Sequence, residues 1–186
     1  MKIEKPGSTA LQPVPVVLVT SVDDQNRPNI ITIAWAGTVC SEPPMVGIGI
    51  RPSRYSHGLI KKNRQFVINL PTQSLLRVTD YCGVVSGRDV DKFAATGLTP
   101  RPASKVAPPL IEECPVNLEC EVRQVLELGS HDLFLAEVLA VHIDESALDP
   151  RGRIDNERFN PVAYNGQIDY LGVGAPTGSY GFSAKK

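Results

Sequence analysis

The sequence predicts a mainly β protein with short helices, folded as an antiparallel barrel, and three observations carry that reading. Strand patterns follow one another as strand, turn, strand, strand between residues 15 and 50. Two long alternating segments, Val116 to Leu128 and Leu133 to Asp144, flank Gly129-Ser130-His131-Asp132 and read as a hairpin. The helical patterns between them are short. With 186 residues, 42% hydrophobic and 21% charged, the chain can bury one sizeable core and falls in the single-domain range.

Each element has a local cause. Pro15 to Val22, Asn29 to Trp35 and Met45 to Ile50 are rich in β-branched residues, and Asp23-Asp24-Gln25-Asn26-Arg27-Pro28 supplies turn chemistry between the first two. Asn29, Ile31 and Ile33 alternate with Ile30, Thr32 and Ala34, so both faces of that strand meet apolar partners. The strand then runs into what reads as a polar loop of small residues, with Thr38, Cys40 and Ser41, and Pro43-Pro44 stops further pairing. A strand entering such a loop presents hydrogen-bonding groups to a planar ligand. Ser53 reads as the N-cap of a helix over Arg54 to Asn63, with Tyr55, Leu59 and Ile60 as its apolar face. Gln65 to Leu70 is a strand ended by Pro71. Thr72 to Tyr81 reads as a helix burying Leu75, Leu76 and Val78, terminated by Gly83 and Gly87. From Ser86 to Pro109 the chain is rich in Gly, Pro, Ser and Ala around a helical piece near Asp89 to Thr96. Apolar strand patterns resume on both sides, which marks a functional loop and not a linker. The tail carries one strand within Pro161 to Tyr170 and a Gly-rich end, Gly172 to Lys186, expected to be mobile unless a partner orders it.

Composition argues against several classes. A net charge of −1 with scattered basic residues gives no electrostatic footprint for nucleic acid. The longest apolar runs have strand length, such as Val14 to Val19, and no charged-then-apolar leader opens the chain, so neither a membrane span nor secretion is expected. Cys40, Cys82, Cys114 and Cys120 form no CxxC pair and no zinc spacing, so no metal site is expected and they fit reduced thiols of a cytoplasmic protein. GxSxG, HExxH, GxxxxGK and GxGxxG patterns are absent. A dinucleotide-binding domain is therefore not expected.

Four clusters could carry chemistry. Arg51, Ser53, Arg54, Tyr55 and Ser56 gather at a helix start, where unpaired N–H groups and the helix dipole favour a phosphate. An ordinary capped helix with solvated arginines fits the same pattern. Ser86-Gly87-Arg88-Asp89-Val90-Asp91-Lys92-Phe93 combines a turn, cations and an aromatic, and also fits a solvated loop. Trp35, the single tryptophan, suits a core or a ligand face. His131 suits an exposed turn or a site, whereas His57 and His142 read as structural.

Taken together, the Asn29-x-x-Thr32-x-x-Trp35-x-x-Thr38 run, the Arg51-Pro-Ser-Arg-Tyr-Ser56 segment, the Ser86-Gly87 and Lys92-Phe93 pairs, and Gly129-x-His131 before a strand ending in Glu137-Val138 resemble one family. It is the flavin reductase-like FMN-binding split-barrel family, within it the flavoredoxin-like branch, and the resemblance runs from about Pro13 to about Gly172. It implies an FMN-binding split β-barrel in which Asn29, Thr32, Trp35 and Thr38 touch the flavin. Thr38, Val39, Cys40 and Ser41 would supply the ring edge, and Arg51, Ser53, Arg54 and Tyr55 the phosphate. Ser86 and Lys92 would also bind FMN, with Lys92 neutralising the phosphate or the reduced ring. His131 would lie at the pocket mouth, where NAD(P)H or a redox protein approaches as electron donor. The protein groups would tune a cofactor that carries the two-electron chemistry itself. The implied function is electron transfer by an NAD(P)H-dependent flavin reductase-type oxidoreductase acting as a homodimer with flavin sites near the subunit interface. A non-catalytic FMN carrier and a barrel for another small ligand are the alternatives.

Overall fold

A computed structural model describes residues 1–184 and arranges the chain around a curled seven-stranded antiparallel sheet. The strands are β1 (Val14–Pro15), β2 (Val17–Val22), β3 (Pro28–Ile33), β4 (Ala36–Cys40), β5 (Met45–Ile50), β6 (Gln65–Leu70), β7 (Pro100–Arg101), β8 (Leu110–Ile111), β9 (Val116–Glu127), β10 (Asp132–Ile143), β11 (Val162–Tyr164) and β12 (Tyr170–Gly172). The helices are α1 (Tyr55–Asn63), α2 (Leu76–Val84), α3 (Lys92–Thr96) and α4 (Asn156–Phe159). The main sheet runs β3-β2-β6-β9-β10-β5-β4, and a small second sheet runs β1-β11-β12.

Period-two alternation builds the core inside the curl. Val17, Val19, Ile31, Ile33, Val46, Ile48, Phe66, Ile68, Cys120, Val122, Phe134 and Ala136 are every second residue of their strands, and all are buried in one cluster. The alternate residues Leu18 and Ile30 face outward but are covered by Cys82 of α2, Phe93 of α3 and the 98–114 segment. β2 and β3 are therefore buried on both faces, as their β-branched content predicts.

The structure corrects several local expectations. Residues 36–40 form an edge strand and not a loop: Ala36 pairs with Ile48, Gly37 with Gly47 and Thr38 with Val46. Residues 41–44, including Pro43-Pro44, are the hairpin turn before β5. Small residues carry little strand propensity of their own, but a partner strand satisfies their backbone groups. Ser53 is not the N-cap of α1. Arg54 holds that position and makes no side-chain capping bond, because the turn closed by Arg54 N–H on Arg51 O at 3.0 Å starts the helix one residue later. Gly83 lies inside α2, which a 3₁₀ turn at Gln73–Leu75 precedes, and the fully buried residues of α2 are Thr79 and Cys82. Leu75, Leu76 and Val78 are only partly buried. The C-terminal region holds two short strands instead of one. Beyond them residues 174–184 are exposed, with one 3₁₀ turn at Phe182–Ala184, and the rest of the Gly-rich tail, Lys185 and Lys186, lies outside the described residues.

Candidate functional site

β3, the end of β5, α2 and the β11-β12 hairpin enclose a cleft of about 370 Å³. Its walls are Ile31, Thr32 and Ile33 from β3, Trp35, Gly49 and Arg51 around β5, Asp80 and Gly83 from α2, His131, and Tyr164, Ile168 and Tyr170 from the hairpin. A second cavity of about 150 Å³ shares Ile31, Arg54 and Gly83 with the cleft. It is lined by Asn29, Ser53, Tyr55, Ser56, Ser86, Arg88 and Lys92. The two form one bent depression, apolar and aromatic at one end and basic with hydroxyls at the other.

Lys92 is the central group of the basic end. It begins α3, whose Asp91 accepts the Ala94 N–H at 3.1 Å as a side-chain cap. The Lys92 ammonium is 4% exposed and donates to Ile30 O and Cys82 O, both at 2.7 Å. An ammonium has three N–H groups, so one is left for a ligand in the cavity it lines. Burial lowers its pKa to about 8, and the nearby Arg54 charge adds to the shift. Burial likewise holds Cys82 as a thiol, its pKa pushed up to about 11.

Asn29 is buried and donates from Nδ2 to Ser56 Oγ at 2.7 Å. Its Oδ1 lies where a Cβ on Gly87 would fall, 1.9 Å away, so only glycine lets the 86–88 turn close over it. Ser86 Oγ accepts the Arg88 N–H at 3.2 Å, and the Arg88 guanidinium donates to Ser53 O at 3.2 Å while lying 5.4 Å over the Tyr55 ring. The first N–H groups of α1 have no side-chain cap, which leaves them open to an anion. Three cationic side chains, Lys92, Arg54 and Arg88, and the hydroxyls of Ser53, Ser56 and Ser86 line this end without a carboxylate. That donor set fits a phosphate monoester.

At the other end Trp35 is half-buried across Gly49, where a Cβ would meet the Trp35 Cβ at 3.2 Å. Thr32 lines the cleft, with its hydroxyl donating to Thr79 O. His131 is half-buried, Nδ1 lies 2.9 Å from Ser130 Oγ, and burial followed by the Arg51 charge holds its pKa below the usual imidazole value. His131 also lines an adjoining apolar hollow with Trp35, Val39, Leu128 and Leu133. The volume of the cleft and its Trp35, Tyr164 and Tyr170 rings fit a planar heteroaromatic system.

The structure thus gathers Asn29, Thr32, Trp35, Arg51, Ser53, Arg54, Tyr55, Ser86, Lys92 and His131 around one depression. It does not bring Thr38, Cys40 or Ser41 to that depression. They lie on the edge strand and its turn, with the Cys40 thiol 3.4 Å from Glu42 O, and Val39 reaches only the apolar hollow. Sequence reasoning placed Arg88 in a candidate cluster without giving it a role, and missed Asp80, Gly83, Tyr164 and Tyr170. The Tyr170 hydroxyl donates to Asp80 Oδ1 at 2.9 Å, and burial together with this carboxylate pushes the phenol up to about 12. Asp80 and Gly83 share one face of α2 by helical spacing, a legible signal, whereas the hairpin reaches the cleft only through tertiary structure. Among the described residues no cluster of three His, Cys, Asp or Glu could hold a metal, and no helix is long and apolar enough to cross a membrane.

Comparison with known proteins supplies a family. A model described as flavin reductase like domain matches residues 10–169. The structure of flavoredoxin from Desulfovibrio vulgaris (Miyazaki F) is 34% identical, with a TM-score of 0.93 and all of both chains covered. An FMN-binding protein from Thermus thermophilus, solved with bound 1-cyclohex-2-enone, is 28% identical over 96% of this chain and 97% of that one, with a TM-score of 0.81. An NADPH-flavin oxidoreductase of Streptomyces viridifaciens is 28% identical over 172 residues, covering 90% of this chain and 81% of the relative.

Proposed function

This chain belongs to the flavin reductase-like domain family, with its split-barrel fold, and from that membership we propose that it binds FMN and transfers electrons as an NAD(P)H-dependent oxidoreductase. The observation that carries the reading is the joined depression, a basic, hydroxyl-lined end beside Lys92 continuing into an aromatic cleft beside His131. FMN bound there would supply hydride and single-electron chemistry.

The chain's own residues do the remaining work. Lys92 and Arg54 hold the phosphate by charge-assisted hydrogen bonds, and Ser53, Ser56 and Ser86 add neutral donors. Lys92 is held in place by its two carbonyl partners, so no side-chain reorganisation accompanies binding there. Trp35 and the β3 side chains exclude water from one side of the cleft. His131 stands where the cleft meets the apolar hollow and orients a second reactant entering from that side.

A second reading is a carrier fed by a protein donor. It is favoured by the hollow beside His131, where Val39 and Leu128 stay 53% and 64% exposed on a surface suited to docking. The absorbance spectrum of the purified protein, followed by FMN titration, tests the common premise. Anaerobic addition of NADH or NADPH then separates the two, because only the enzyme bleaches the flavin at a useful rate. A protein that stays colourless and binds no FMN overturns both. The free thiols fit a cytoplasmic protein, and β4, an edge strand of the main sheet, suits a homodimer contact.

A further inference from the structure

We infer that His57 is a positioning residue for this site, its buried hydrogen bond with Asp132 tying the phosphate-side turn to the hairpin that carries His131. The inference rests on the FMN reading for what the depression holds, and on geometry for the rest.

His57 Nε2 lies 2.8 Å from Asp132 Oδ2, with the two side chains 8% and 6% exposed. The imidazole packs edge-on to Phe134 at 5.3 Å. Neither His57 nor Asp132 lines the cleft or the smaller cavity. Each is instead joined to residues that do. His57 follows Ser56 directly in the first turn of α1, and its N–H bonds Arg54 O at 3.1 Å. Asp132 follows His131 directly and pairs in register with Ile50, the residue before Arg51.

The turn 51–54, which carries Arg51, Ser53 and Arg54, is therefore held at both ends. β5 fixes its start against Asp132, and His57 fixes its exit against the same carboxylate. The carboxylate is held below the usual range chiefly by the His57 hydrogen bond, and Lys61 Nζ reaches it at 3.6 Å while also meeting Glu127 at 3.4 Å. Lys61 is half-exposed and screened, so the buried imidazole is the stronger tie. Without it, a buried carboxylate is left short of a donor and must rearrange, moving the start of β10 and the turn together.

The test compares His57→Ala with His57→Gln, whose amide N–H can still donate to Asp132. The readouts are the ratio of FMN to riboflavin affinity, the emission of Trp35 in the ligand-free protein, and the melting temperature. For the Ala variant the FMN preference is expected to fall about tenfold, since small displacements of a positioned group are costly. Trp35 emission should shift as well, and the Gln variant should restore both. Parallel loss of both flavins in step with the melting temperature, or an unchanged ratio and emission in a folded Ala variant, overturns the inference. Should the Ala variant fail to fold, His57→Leu fills the space against Phe134 without a donor and is read the same way. Failure of that variant too assigns the pair to stability alone and overturns the inference. If the wild-type protein binds neither flavin, it is the FMN reading that fails, and Trp35 emission still decides the role of His57.

Discussion

Arg54 and Lys92 face one cavity but differ in what holds them. Arg54 is exposed and makes no capping bond, so on the proposed reading its contribution is to the ligand. Arg54→Ala is expected to weaken FMN by about tenfold and riboflavin little, because only FMN offers a phosphate to the guanidinium. Paired flavin titrations check this, and equal losses would remove Arg54 from the phosphate. Lys92 is buried and its pKa is lowered to about 8, against an ordinary 10.5. The sign follows directly: below pH 8 the ammonium is charged and attracts an anion, so FMN affinity should decline as pH rises through about 8. Between 8 and 10.5 the unfolded chain binds more protons than the folded one, so the ligand-free protein should gain stability over that window from this group. Both pH dependences should disappear in Lys92→Met, as titration and thermal melts would show. His131→Ala should leave FMN affinity within about threefold while slowing flavin reduction by about tenfold or more, if it positions the second reactant as proposed. Stopped-flow reduction beside flavin titration separates the two effects.

At the scale of elements, the long β9-β10 hairpin and the three strands from residue 17 to 50 were legible because their apolar residues alternate over enough length to fix which face is inward. β4 was not, because Gly37 and Thr38 become strand only when β5 pairs with them. The same limit applied to Tyr164 and Tyr170, whose hairpin is too short for its own pattern to say what it packs on. The segment 102–109 was legible as a loop but not its tether. Glu119, fully buried on β9, accepts Ser104 N–H and Oγ–H at 2.8 Å, Lys105 N–H at 2.5 Å, Val106 N–H at 3.1 Å and His142 Nε2–H at 2.6 Å. Burial opposes its charge, yet these donors outweigh it and hold the carboxyl at about 2. Its contribution is complete above the unfolded value near 4.5 and is lost as pH falls towards 2, amounting to about 3 kcal/mol. Glu119→Gln, which turns an N–H group toward N–H donors, should therefore cost about 3 kcal/mol at neutral pH and flatten the acid limb of the stability profile. Denaturant melts across pH 2–6 measure both.

For the molecule as a whole, alternation and turn chemistry pointed to a barrel, and the family resemblance supplied the split barrel that the comparisons bear out. The assembly is a different matter. β4 presents an unpaired edge of the main sheet, which a second copy would cover in a self-complementary contact. Light scattering of the flavin-loaded protein is expected to give twice the 20.1 kDa chain mass, and a monomeric mass would refute the homodimer. One feature of the cleft also sets an order in time. Its basic end is complete by Lys92, whereas its outer wall, Tyr164 to Tyr170, is made about 70 residues later and pairs back with Val14–Pro15. A nascent chain emerging N-terminus first thus carries the anchoring end long before the enclosing wall. A ligand held at the anchoring end is therefore enclosed only once the chain has been made past Tyr170, so closure of the cleft waits on a segment far from the one that anchors its contents.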